Sequence, residues 1–171
     1  MKNFRLPRAC RIVFGFLVAV ISLAPRVSDA QLALPQLSLP FKATLAITES
    51  IQVVGSLPCF VEGDISGTGQ ASKLGKVTVA SSDCINPITE TLFTFFSSDR
   101  VVFTTTNGDQ VYATYSGTFS IQDQVGVITG AYLIVGGTGR YALATGAGTV
   151  NGQEDMVTGK GEIQLFGTLL Y

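Results

Sequence analysis

From residue 44 onward the chain alternates apolar and polar side chains with a period of two. That spacing puts one face of a strand in a core and the other towards water. Over residues 44–54, Leu45, Ile47, Ile51 and Val53 share one face, with Thr44, Thr48, Ser50 and Gln52 on the other. Glu49 falls on the apolar face. Further strands are predicted over residues 60–65, 75–80, 91–97, 101–106, 110–121, 125–135, 144–150 and 159–169. Val, Ile, Thr, Phe and Tyr are frequent in these segments, and no stretch repeats apolar residues at helical spacing over three turns. In residues 91–97, Phe93 and Phe95 alternate with Leu92 and Phe96, so both faces read as buried. Asn107-Gly108-Asp109 between two such runs is a hairpin signal. In the arm that follows, Val111, Ala113, Tyr115, Phe119 and Ile121 point one way.

Eight or nine regularly spaced strands in one domain predict an all-β fold over residues 41–171, a closed barrel or a sandwich, and the barrel is favoured. Closure removes long edges rich in Val, Phe and Ile that would otherwise template aggregation. A strand apolar on both faces can fill the lumen on one side and meet a neighbouring subunit on the other, so association between copies of the chain is an expectation.

The start of the chain is different. A run of twelve residues, 12–23, apolar but for Ser22, follows Lys2, Arg5, Arg8 and Arg11, and Ser28-Asp29-Ala30 leads into Gln31. This is the pattern of a secretory signal peptide over residues 1–30, and its apolar run is short for a permanent transmembrane helix. The mature protein is therefore expected to be secreted or periplasmic, without a stable membrane anchor. Residues 31–40, with Pro35 and Pro40, read as an extended leader. Five of the eleven Lys and Arg precede residue 31, but only Asp29 of the twelve acids does. The remainder thus holds six cations against eleven acids, a net charge of −5. Six scattered cations form no basic stripe, which argues against nucleic acid as a partner. Cys59 and Cys84 are the thiols left beyond residue 31, and an even count in an exported chain predicts a disulfide.

Candidate chemistry is sparse. The chain has no histidine, so Ser-His-Asp and Cys-His arrangements are excluded, and the usual zinc and haem ligand sets are missing. No metal and no cofactor are expected. Glu154-Asp155, following Asn151-Gly152, reads as a solvated turn, since the other oxygen ligands of a calcium loop are not spaced around it. Gly136-Gly137-Thr138-Gly139-Arg140-Tyr141 fits neither the phosphate-loop nor the dinucleotide pattern and reads as a tight turn. Glu49 has two readings. A carboxyl in an apolar surround has a raised pKa and can serve as acid or base; alternatively, a strand-end glutamate reaches solvent or pairs with Lys42 or Lys73. Tyr115 likewise either hydrogen-bonds a ligand or is a core tyrosine with a satisfied hydroxyl.

The glycine-rich turn at 136–141, with Asn107-Gly108-Asp109, Tyr115-Ser116-Gly117 and Ala144-Thr145-Gly146-Ala147-Gly148, resembles the allene oxide cyclase and dirigent barrels, in particular a bacterial exported branch. The resemblance covers residues 60–171. It implies a calycin-like eight-stranded barrel with an apolar lumen, a dimer or trimer, and no metal or organic cofactor. It also implies a lumenal carboxylate on the first strand, the place of Glu49, and a structural turn formed by Gly136, Gly137, Gly139 and Arg140. Arg140 would tie that turn to neighbouring carbonyls. Phe93, Phe95, Tyr115 and Phe119 are the candidate ligand-binding residues.

Two functions follow as expectations. One is an exported barrel that holds an apolar small molecule or serves a structural role. The other is a cofactor-independent cyclase or isomerase acting on an unsaturated lipid, phenolic or polyketide. A lumen lined only by packed side chains would favour a structural role; an open pocket of several hundred cubic ångströms with one buried carboxylate would favour the enzyme.

Overall fold

The computed structural model describes residues 38–171; the predicted export segment lies outside them. Nine strands follow: β1 (Leu39–Ser56), β2 (Cys59–Ala71), β3 (Gly75–Pro87), β4 (Leu92–Ser97), β5 (Val101–Thr105), β6 (Gln110–Gln122), β7 (Val125–Gly137), β8 (Gly146–Asp155) and β9 (Lys160–Leu169). Neighbouring strands pair antiparallel, and β9 returns to β1, with Leu45 opposite Ile163. Both β4 and β5 lie between β3 and β6. Phe95 faces Ile85 and Gly117, whereas Phe103 faces Val79 and Val111. The two short strands are therefore successive halves of one barrel position, interrupted at residues 98–100. Together the nine strands close an eight-position antiparallel barrel, as the alternation predicts.

Several strands outrun their predicted ends. β1 begins at Leu39, so Pro40 of the expected leader already pairs with Thr168. β2 runs on to Ala71, β3 to Pro87 and β8 to Asp155. These extensions are glycine-rich or polar and look like loops in isolation, but each has a full-length partner strand that satisfies its backbone groups.

One end of the barrel is closed. Phe41, Leu74, Val77, Val111 and Leu169 are buried there, capped by Tyr141 from the 3-10 turn Gly139–Tyr141. Tyr141 is fully buried, and its hydroxyl donates to the Lys73 carbonyl at 2.9 Å. Gly139 has φ +54° and lies so close to the Asp109 carboxylate that a side chain would collide with it. The Asn107-Gly108-Asp109 hairpin closes through Thr105 N–H to the Asp109 carbonyl, 2.9 Å, and Gly108 N–H to the Thr105 carbonyl, 3.0 Å.

At the opposite end the β1–β2 hairpin is anchored by the Cys59–Cys84 disulfide, whose Cα atoms are 5.1 Å apart. The Asn86 side chain accepts from Phe60 N–H and donates to the Pro58 carbonyl, each at 3.0 Å. On the outward face of β4 Leu92 is half-buried and Phe96 exposed, with no described residue of the same barrel packed over them, while the inward Phe93 and Phe95 meet the core.

Candidate functional site in the barrel lumen

Inward-facing positions of every strand line a cavity of about 270 Å³. Its wall is almost wholly apolar, and it reaches the open end through Ile51, which is 60% exposed. The four predicted ligand-binding residues all lie on this wall. Phe93 stacks on Phe119 with ring centroids 4.8 Å apart and 8° between planes, and Phe95 stands 5.7 Å from the ring of Tyr115. Their grouping follows from pairing: Phe93 is opposite Phe119, and Phe95 is opposite Gly117, where the missing side chain leaves room for the ring.

Glu49 faces the same cavity. Its side chain is half-buried, with Oε1 withdrawn from solvent. Lys42 places its ammonium 5.2 Å from the centroid of the Phe166 ring, on an exposed part of the surface. Period-two alternation carries Leu45, Ile47 and Glu49 inward together, and Glu49 N–H donates to the Gly159 carbonyl at 2.7 Å, fixing the strand against the β8–β9 turn.

Two further acids join it. Asp83 on β3 is 5% exposed and Glu154 on β8 is 7% exposed, and both line the cavity. The placement of Glu154 corrects the expectation of a solvated acidic turn. In β8 the inner face reads Val150, Gly152, Glu154, so Glu154 points inward, whereas Asp155 points outward and accepts from Val157 and Thr158 N–H at 2.9 Å. Asp83 similarly continues the inward series Val77, Val79, Ser81 beyond the predicted strand end.

All three carboxyls are hard to ionise. Burial, with the charge of Asp83 nearby, pushes Glu49 up to about 7. Burial pushes Asp83 to about 7, with the Glu154 and Asp64 charges adding to the effect. Burial and a hydrogen bond with Glu49 push Glu154 to about 8. Near neutral pH the cluster therefore holds both proton-bearing and ionised carboxyls, the condition for acid and base work at one site. The Tyr115 hydroxyl lies 3.1 Å from Ser81 Oγ and beside Asp83, and burial raises its pKa. Among the described residues, no three Cys, Asp or Glu side chains are grouped so as to hold a metal ion.

Gly136, Gly137, Gly139 and Arg140 stand apart from the cavity, at the closed end. The Arg140 guanidinium stacks 4.8 Å over the Tyr141 ring, and its Nη2 lies 3.5 Å from the Lys73 carbonyl. Asp83, Glu154, Ser81 and Tyr132 are lumen residues that the sequence reading does not single out. Their signal is period-two continuation through polar segments.

No protein-family model and no curated protein matches the chain. Among solved structures, it is similar to the pterocarpan synthase dirigent protein. The TM-score is 0.51 at 13% identity, covering 88% of this chain and 98% of that one. At that identity the likeness is one of fold, and the chain is a closed antiparallel barrel of the dirigent-like type.

Proposed function

We propose that this protein is an exported barrel that takes an apolar small molecule into its lumen and transforms it without a cofactor, as an isomerase or cyclase. The observation that carries this reading is the cavity itself: about 270 Å³ of almost wholly apolar space with three carboxyls set in its wall. A purely structural barrel has no use for that arrangement, since burying carboxyls in an apolar wall opposes folding. The disulfide suits an oxidising compartment, and the dirigent-like fold neighbour, a synthase by name, is consistent with turnover. The lumen would orient a flexible substrate and keep water away while a neutral carboxyl donates a proton and an ionised one accepts.

The test is retention. Incubated with a mixed extract of apolar metabolites, the protein should emerge in native mass spectrometry with one small molecule per barrel. Ile128→Trp, which fills the lumen, should abolish that peak. A barrel that emerges empty from lipid, phenolic and polyketide extracts alike would count against the reading.

A further inference from the structure

Two carboxyl oxygens in the lumen converge with no other partner. Glu49 Oε1 and Asp83 Oδ1 are both buried, and neither meets a hydrogen-bond donor among the described residues. Both crowd the point where a side chain on Gly63 would begin, so any other residue there would collide with both oxygens. Gly63 pairs with Asp83 across β2–β3, and its β1 partner, Ile51, is two residues from Glu49. The missing side chain of Gly63 thus lets an acid of β1 meet an acid of β3 across the strand between them. Two negative charges so close in an apolar wall repel strongly. A single shared proton turns one oxygen into a donor and the other into an acceptor, and satisfies both.

The other groups facing the pair are acidic or neutral. Glu154 approaches Glu49 from β8, the Tyr115 hydroxyl approaches Asp83 from β6, and Asp64 acts on Asp83 from β2. Among the described residues, no lysine or arginine lines the cavity. A proton, rather than a cationic side chain, is what neutralises the pair.

A second observation points independently to a ligand bearing oxygen. Tyr132 lines the same cavity, is 3% exposed, and its hydroxyl has no hydrogen-bond partner among the described residues. The hydroxyl occupies lumen space that Gly148 and Gly167 leave free, 2.7 and 2.6 Å from where their side chains would begin. A buried hydroxyl without an acceptor opposes folding, and an oxygen at the end of a ligand away from the dyad would supply the acceptor, since Tyr132 packs on Phe41 in the other half of the barrel.

We propose that Glu49 and Asp83 form an acid–base dyad sharing one proton, which moves a proton between carbon and oxygen of an apolar ketone held in the lumen. This rests on the reading of the lumen as a ligand site. The ionised carboxyl takes the proton from a carbon next to the carbonyl. The C–H electron pair becomes the C=C bond of an enol, and the carbonyl oxygen takes the proton of the neutral carboxyl. The dyad ends with the same total charge and the two carboxyls exchanged in role. Reversal at the same carbon returns the ketone, and reversal at a conjugated carbon gives an isomer. No oxidant or reductant is needed. Gly63 is a positioning residue, acting through the separation of the two oxygens.

The probe is 2-tetralone, two fused rings with acidic C–H groups beside a ketone. In D2O, binding is followed by ligand-detected NMR and deuterium uptake by loss of the α-proton signal. The protein should bind 2-tetralone and accelerate exchange, and Glu49→Gln or Asp83→Asn should slow exchange at least about 100-fold while leaving binding within a few-fold. Gly63→Ala, which keeps both carboxyls but forces them apart, should slow exchange and spare binding. Should the amide variants fail to fold, the unaltered protein decides the question. Its exchange rate must be bell-shaped in pH, because one carboxyl must be ionised and the other protonated. A rate rising monotonically with pH, or unchanged from the unaltered protein in the Glu49→Gln and Asp83→Asn proteins, overturns the dyad and leaves the lumen reading standing. Absence of 2-tetralone binding at millimolar concentration overturns the lumen reading, and the dyad's role with it.

Discussion

The two ends of the barrel are made of the same strands and treat their polar groups in opposite ways. At the closed end the groups around Tyr141 find partners: its hydroxyl meets the Lys73 carbonyl, Thr138 N–H meets the Gln110 carbonyl at 2.8 Å, and Gln110 N–H meets Thr138 Oγ1 at 2.8 Å. Towards the open end, Glu49, Asp83 and Glu154 sit in an apolar wall, and two of their oxygens lack a donor. The first arrangement favours the folded state. The second opposes it, and strongly shifted acids lining a cavity mark a site rather than a stabilising network.

That contrast predicts unequal responses to truncation. Tyr141→Ala, which removes a fully buried ring and a hydrogen bond, should cost about 3–5 kcal/mol in urea unfolding. Phe93→Ala, at a half-buried position on the cavity wall, should cost clearly less, because its ring already borders open space. Equal losses would erase the distinction between the ends. Next in size is the disulfide. Cys59 and Cys84 close a loop across a separation of 25 residues, so Cys59→Ser with Cys84→Ser should cost about 3 kcal/mol in the chain-entropy model. The loss should be absent when the unaltered protein is compared under reducing conditions.

The same contrast explains what could be read from the sequence. The closed end was legible: its hairpin and glycine turn use short-range chemistry, and Asn107-Gly108-Asp109 closes the loop between β5 and β6 where it was expected. The strands were legible wherever apolar and polar residues alternate. Of the three acids of the site Glu49 alone was legible, because it interrupts an apolar face with a charge. Asp83 and Glu154 were hidden by their surroundings. Ser81-Ser82-Asp83 and Asn151-Gly152-Gln153-Glu154 look like loops, since Gly, Asn and Asp are depleted in strands. What keeps them extended is long-range: β3 is held by β2 and β4, and β8 by β7 and β9. Interior carboxyls make those segments polar, so the residues that build the site also conceal it from pattern reading.

Titration sharpens the comparison with the smallest change to the molecule. Glu49, Asp83 and Glu154 hold protons in the folded state up to about 7, 7 and 8, against ordinary values of 4.5, 3.8 and 4.5. Between about pH 4 and 8 the folded protein therefore binds more protons than the unfolded chain, so the slope of stability with pH is negative. Their contribution is fully present below pH 4, is lost as pH rises through 7 to 8, and changes no further above that. Asp155, lowered by hydrogen bonds from Thr158 and Val157 N–H, runs the other way and acts only in acid. Urea unfolding should show stability falling by several kcal/mol from pH 5 to pH 9. Tyr141→Ala should shift the whole curve down and keep its slope, because the closed end takes no part in this titration. Glu154→Gln should flatten the slope, leave stability at pH 5 within about 1 kcal/mol, and make the protein more stable than the unaltered one at pH 9. It removes a charge that the apolar wall cannot solvate while keeping an amide able to donate to Glu49. A slope unchanged by Glu154→Gln would mean that Glu154 ionises as it does in water, and the open end would then differ from the closed end in packing alone.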